Sequence, residues 1–87
     1  MRKLWFEKAW DDYLYFQGQD KRALKKINDL IRDISPNGYN ATGKIEPLKH
    51  SKTGLWSARM DSKNRFVFKI CDDILEIHEC GSHYGDK

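Results

Sequence analysis

This 87-residue chain has no apolar run of membrane-spanning length, and no signal-peptide-like apolar stretch follows Met1. Neither a bilayer-crossing helix nor export is expected, and no membrane partner. Its two cysteines, Cys71 and Cys80, form neither a CxxC pair nor a Cys/His ligand spacing. That removes the common zinc and dithiol motifs, and both thiols are expected reduced and partly buried in a cytoplasmic protein. No Gly-rich phosphate loop, Ser-His-Asp arrangement, internal repeat, linker or low-complexity run is present, and no metal or other cofactor is expected. The net charge of +3 is small. It favours an anionic partner without singling one out.

What is there is enough for one domain over residues 1–87, with 85–87 a polar tail. A chain of this length buries about two-thirds of its unfolded surface, and three Trp, four Tyr and four Phe supply large core pieces. The organising stretch is Leu55 to Ile70, LWSARMDSKNRFVFKI. It reads as two period-2 strands closed by a polar turn over Asp61 to Asn64. Trp56, Ala58 and Met60 share one face with Phe66, Phe68 and Ile70 only if paired residue numbers sum to an even value. That requires an odd loop and sets Arg59 opposite Arg65 or Val67. Opposed like charges destabilise a sheet by about 0.2–1 kcal/mol. Two facing arginines therefore suggest an anion between them; two arginines that splay into solvent are the plain alternative.

Around this hairpin the rest falls into place. Arg2 to Phe6 predicts a short opening strand. Trp10, Tyr13, Leu14 and Gln17 then recur at helical spacing, with Gly18 as a stop. Asp20 suits the N-cap of a second helix whose stripe is Leu24, Ile27, Leu30, Ile31 and Ile34, ended by Ser35-Pro36-Asn37-Gly38. Its Lys21, Arg22, Lys25 and Lys26 read as a solvated face that could also touch RNA. Tyr39 to Lys44 reads as loop, and Lys44 to His50 as an extended segment in which Pro47 requires an edge. Asp72-Asp73 predicts a tight turn pairing Cys71 with Ile74, Lys69 with Glu76 and Val67 with His78. His78 is expected on a solvated strand face. Beyond Cys80, strict alternation would turn His83 toward the core, so Gly81 is the expected place for a parity reset. The whole predicts an α+β fold, two N-terminal helices packed on a twisted, mostly antiparallel sheet.

The polar side chains this sheet can gather are Glu46, Lys49, His50, Arg59, Arg65, His83 and Tyr84. A carboxylate, an imidazole and guanidinium groups suffice for phosphodiester transfer: a base on a ribose 2′-hydroxyl, an acid on the leaving 5′-oxygen, cations on the phosphorane. Taken singly, each has a plainer reading, Glu46 as an edge residue and His83-Tyr84 as a chain end.

In combination, WDDYLYFQ at 10–17, DKRALKKINDLI, GKIEPLKH at 43–50, GLWSARM at 54–60, NRFVFKI at 64–70 and the closing His83-Tyr84 resemble the YoeB/Txe toxins. These lie within the RelE/ParE superfamily of bacterial type II toxin–antitoxin systems, whose fold is microbial-RNase-like. The resemblance implies a ribosome-dependent endoribonuclease that cuts mRNA in the A site without a metal and leaves a cyclic phosphate. It implies Glu46 as general base, Arg65 as phosphate-stabilising arginine and His83 as general acid, with Lys49, Arg59 and Tyr84 in supporting RNA contacts. It further implies a cognate antitoxin, a homodimer, and contact with operator DNA only through the antitoxin. Ala58, Phe68 and Gly81-Ser82 depart from the family's usual residues, and fewer cations imply slower cutting or altered ribosome contacts. Two other functions fit the same fold: a ParE-like toxin that poisons by binding, and a module that acts mainly with its antitoxin at operator DNA.

Overall fold

The computed structural model describes residues 1–81. Its elements run β1 (Arg2–Trp5), α1 (Glu7–Gln19), α2 (Lys21–Asn37), a 3₁₀ turn (Gly38–Asn40), β2 (Ile45–Pro47), β3 (Trp56–Arg59), β4 (Arg65–Cys71) and β5 (Ile74–Cys80). The strands form one sheet in the order β1-β5-β4-β3-β2, antiparallel except where β1 runs parallel to β5. Both helices cover one face. There Phe16, Ile27, Leu30 and Ile34 meet Ala58, Phe66, Phe68, Leu75 and Ile77 in a single core. The fold is the expected α+β arrangement, and among the described residues no helix covers the other face of the sheet. No helix among the described residues is long and apolar enough to cross a membrane.

The hairpin folds as its alternation dictates. Trp56 pairs with Phe68, Ala58 with Phe66 and Arg59 with Arg65. The turn is held by Asp61, whose Oδ1 accepts the amides of Lys63 (2.8 Å) and Asn64 (2.7 Å). The second turn places Asp72 and Asp73 at φ 52° and 61°, the paired left-handed geometry of a two-residue type I′ hairpin. Cys71 then faces Ile74, and Lys69 faces Glu76, as predicted. Pro47 sits on the edge strand β2, where its missing N–H breaks no ladder. The second helix also follows its stripe. Asp20 caps it through the amides of Arg22 and Ala23, and Gly38 (φ 60°) closes it.

Four expectations are corrected. The first concerns α1, which runs past Gly18 to Gln19 because the Asp20 amide bonds the Phe16 carbonyl. The second concerns its inward face, which is Ala9, Asp12 and Phe16, while Trp10 and Leu14 are 44% and 46% exposed. Tyr13 is half-buried, its hydroxyl bonded to Asn28, and its ring joins Trp5 and Trp10 in a surface aromatic cluster. Apolar periodicity misplaced this face because one inward residue is a carboxylate: Asp12 is fully buried and accepts the Cys80 amide at 2.9 Å.

The third correction is the register at the end of β5. Val67 faces Glu79, not His78, because a bulge at His78-Glu79 intervenes between Phe68↔Ile77 and Val67↔Glu79. The parity reset thus comes before Gly81, and it turns Cys80 fully into the core. His78 is not solvated. Its ring stacks on Phe6 at 3.8 Å between centroids, and its Nε2 lies 3.1 Å from Glu76. The fourth correction concerns the cysteines, since Cys71 is exposed and Cys80 wholly buried rather than both partly so. Burial, then the nearby Asp12 carboxylate, pushes the Cys80 thiol up, so it stays protonated and unreactive.

Candidate active site on the open sheet face

Because β3 pairs with β2 on one side and β4 on the other, one face of the sheet gathers a defined set of side chains. Glu46 faces Ser57, Ser57 faces Val67, and Arg59 faces Arg65. An open cavity of about 370 Å³ forms over them, lined by Gly43, Lys44, Glu46, Ser57, Arg59 and Arg65 together with Ile45. Ser57 is buried at its floor, Arg65 is half-buried, and Glu46 and Arg59 are exposed. Among the described residues neither guanidinium has a carboxylate partner within ion-pair distance. Two cations held opposite each other, unpaired among the described residues and outnumbering the lone Glu46 carboxylate, create a positive potential that a phosphate would neutralise.

Each wall has an identifiable support. Strand β2 is tied at both ends to β3 and the segment before it: the Arg59 amide bonds the Lys44 carbonyl (3.2 Å), and the Leu48 amide bonds that of Leu55 (2.9 Å). The loop leading into Glu46 is pinned by Asp33 on α2. Its carboxylate accepts the amides of Thr42 (3.1 Å) and Gly43 (2.8 Å), the Thr42 hydroxyl and the Asn37 side chain. Desolvation works to raise the Asp33 carboxyl, yet these four donors together hold it below its ordinary value. The hairpin carrying both arginines closes on Asp61. There the Asn64 side chain, followed by the amides of Lys63 and Asn64, lowers the carboxyl against some desolvation. The Tyr39 ring stacks on Trp56 (4.3 Å), and its hydroxyl accepts the Ile70 amide (2.9 Å), fixing the far end of the same hairpin.

The cavity continues around the sheet. A second hollow shares Gly43, Lys44 and Arg59 with it and reaches Lys26 and Met60; a third shares Lys26 and Met60 and reaches Arg22. The acids nearest this path, Asp20 and Asp61, are engaged by backbone amides. A line of cations thus runs from Arg65 to the first turns of α2. Lys25, by contrast, is paired with Asp29 at 2.9 Å and stays a solvated-face residue.

Of the residues singled out from sequence, Glu46, Arg59 and Arg65 share one cavity. Lys49 and His50 do not: they lie on the turn after β2 and line a separate hollow of about 360 Å³ with Leu48, Ser51 and Leu55. His83 and Tyr84 lie outside the described residues. Sequence reasoning missed Ser57, Lys44 and Asp33. Ser57 was recoverable, since the parity that aligns Arg59 and Arg65 places it on their face, whereas nothing local marks Asp33 as the anchor of a loop ten residues on.

Residues 5–84 match the family described as the YoeB-like toxin of bacterial type II toxin-antitoxin system. The chain is 48% identical over 84 residues to Toxin YoeB of Escherichia coli K12, an alignment covering 97% of this chain and all of that one. Its fold matches a YoeB/ParE toxin from Agrobacterium tumefaciens with TM-score 0.87 and 40% identity, covering 97% of this chain and all of that one. It matches the YoeB of Staphylococcus aureus with TM-score 0.86 and 38% identity, over 97% and 98% of the two chains. That protein has been solved as a dimer and in a heterotetrameric complex with YefM, its antitoxin.

Proposed function

Since the chain belongs to the YoeB-like toxin family of bacterial type II toxin–antitoxin systems, we propose that it is a ribosome-dependent endoribonuclease that cuts mRNA in the A site. The observation that carries this reading is the single cavity holding Glu46 beside the facing Arg59 and Arg65. In the reaction, Glu46 takes the proton of the ribose 2′-hydroxyl and the 2′-oxygen attacks phosphorus. The P–O5′ bond breaks, and the leaving 5′-oxygen takes a proton from His83. The products are a 2′,3′-cyclic phosphate and a 5′-hydroxyl. Arg65 and Arg59 hold the charge that builds on the non-bridging oxygens, where such donors typically contribute about 10²–10³ in rate. The cation line through Lys44, Lys26 and Arg22 gives the RNA backbone a path away from the cut. Tyr84 joins these RNA contacts, and Lys49 meets RNA from its separate hollow.

The same reading makes the cytoplasm the place of action and a cognate antitoxin the resident partner, as in the S. aureus pair. Leu4, Phe6, Trp10 and Leu14, all exposed, offer apolar contact to that antitoxin or to a second copy. Operator DNA is then met only through the antitoxin.

Purified toxin, programmed ribosomes and mapped mRNA ends test this. Cleavage at A-site codons with cyclic-phosphate ends is expected, undiminished when EDTA has stripped the toxin before it meets intact ribosomes. Glu46→Gln should lower the rate by about 10²–10⁴. Intact mRNA with the wild type would end the proposal.

A further inference from the structure

One polar group on the floor of the cavity is left uncommitted by the fold. Ser57 is 2% exposed, yet it lines the cavity beside Glu46, Arg59 and Arg65. Its hydroxyl makes no hydrogen bond to any described residue. Nor is it sealed away: among the described residues Ser35 Oγ is the one side-chain oxygen both enclosed and unbonded. The Ser57 hydroxyl therefore meets whatever fills the cavity. Most buried hydroxyls find a partner within the chain, and this one waits where an anion is called for.

The register explains the placement. In β3, Trp56 and Ala58 pack toward the helix-covered core, so Ser57 and Arg59 take the other face. Ser57 is the direct cross-strand partner of Glu46 on one side and of Val67 on the other. Arg59 lies two residues along the same strand, and Arg65, paired with Arg59, is the diagonal neighbour of Ser57 on β4. Directly opposed side chains start about 4.5–5.5 Å apart and diagonal ones about 7–8 Å. One short hydroxyl thus stands between the carboxylate and both guanidinium groups. A ribose–phosphate linkage suits that space: its non-bridging oxygens reach the arginines while the adjoining 2′-hydroxyl reaches Glu46. RNA on the floor displaces water from Ser57, and a buried donor left without an acceptor is costly. A phosphate oxygen supplies the acceptor, and its charge strengthens the bond.

We infer that Ser57 is a further residue in contact with substrate: its hydroxyl donates to one non-bridging oxygen of the scissile phosphate. With Arg59 and Arg65 it fixes how that phosphate is presented to the attacking 2′-oxygen. This rests on the functional reading above. Ser57 makes no covalent bond and gives up no proton. Its hydrogen bond tightens as charge grows on the non-bridging oxygens of the phosphorane. One O–H donates to one oxygen at a time, so the contact tells the two non-bridging oxygens apart.

The test is single-turnover cleavage on programmed ribosomes with three mRNAs: one ordinary, and the Rp and Sp phosphorothioates at the scissile linkage. Ser57→Ala should lower the ordinary rate by about ten- to a hundredfold, the worth of a hydrogen bond to a charged group. Thermal unfolding should stay near that of the wild type. Sulfur accepts a hydrogen bond poorly. On the isomer whose sulfur replaces the oxygen that Ser57 holds, the substitution should therefore cost little. On the other isomer it should cost as much as on ordinary mRNA. Ser57→Cys, a weak donor of nearly the same shape, should show the same pattern and serves if Ser57→Ala fails to fold. Equal losses on all three mRNAs would make Ser57 a prop for Glu46 or the sheet, and no loss on any would make it a spacer. Either result overturns the inference while leaving the endoribonuclease reading in place. If the wild type leaves ordinary mRNA whole, that reading falls first and the inference with it.

Discussion

Two pairs of charges in this molecule are treated in opposite ways. Asp12 and Lys8 join α1 to the end of β5, opposite in sign, bonded to each other and to the Cys80 amide and the Gly81 carbonyl respectively. Arg59 and Arg65 face each other across β3 and β4, alike in sign, in a cavity they share with Glu46 but with no carboxylate in ion-pair contact among the described residues. The first arrangement makes sense within the folded chain alone. The second does not, because the sheet would be more stable without it. Charges that a fold leaves unpaired suit a partner outside the fold, and that contrast supports the candidate site more than the cavity's shape does.

The contrast can be broken from either side. Arg65→Ala carries the largest expected effect: the single-turnover rate at saturating ribosome should fall by about 10²–10³, with ribosome affinity nearly unchanged. Unfolding by urea should show stability held, or raised by about 0.2–1 kcal/mol, because a like-charge pair has been dissolved. A clear loss of stability would mean that Arg65 supports the sheet and that the two pairs are not opposites. Asp12→Ala should do the reverse in the urea experiment and lower stability by about 1–3 kcal/mol, the penalty for a buried amide left without its acceptor. Unchanged unfolding would show that Cys80 finds another partner.

The smallest effect sharpens the comparison with a third group. The Asp33 carboxyl is held low in the folded chain, so it adds stability above its unfolded pKa, near ~3.9, and that contribution is lost as pH falls through the lower folded value. Asp33→Asn should therefore unfold more easily than the wild type at pH 7, and the gap should close in acid. A gap that persists at low pH would assign the effect to geometry rather than charge.

What the chain disclosed in advance follows from how each feature is encoded. The facing arginines were legible because alternation, a polar turn and one apolar face admit few registers. The face of α1 was not, since the helix buries a carboxylate at Asp12 and leaves Trp10 and Leu14 outside. An apolar count therefore rotates it the wrong way. The pairing of Val67 with Glu79 was hidden for a related reason: a bulge adds one residue without any change in composition. Lys49 was grouped with Glu46 as a side chain the sheet could gather and through the family resemblance, yet the chain turns after Pro47 and carries it into another hollow. His83 and Tyr84 stand as sequence expectations beyond the described residues.

The parallel pairing of β1 with β5 has a consequence for the order in which the molecule is made. Among the described residues Arg2 to Trp5 take their strand partner from Ile74 to Ile77, so β1 waits for a strand made about seventy residues later. Until then both helices can form, but the sheet lacks its edge, and the Gly81 amide that bonds the Arg65 carbonyl does not yet exist. A partly made chain on the ribosome therefore has its arginines without the frame that sets them. The topology keeps the nascent toxin unfinished on the machine that is building it.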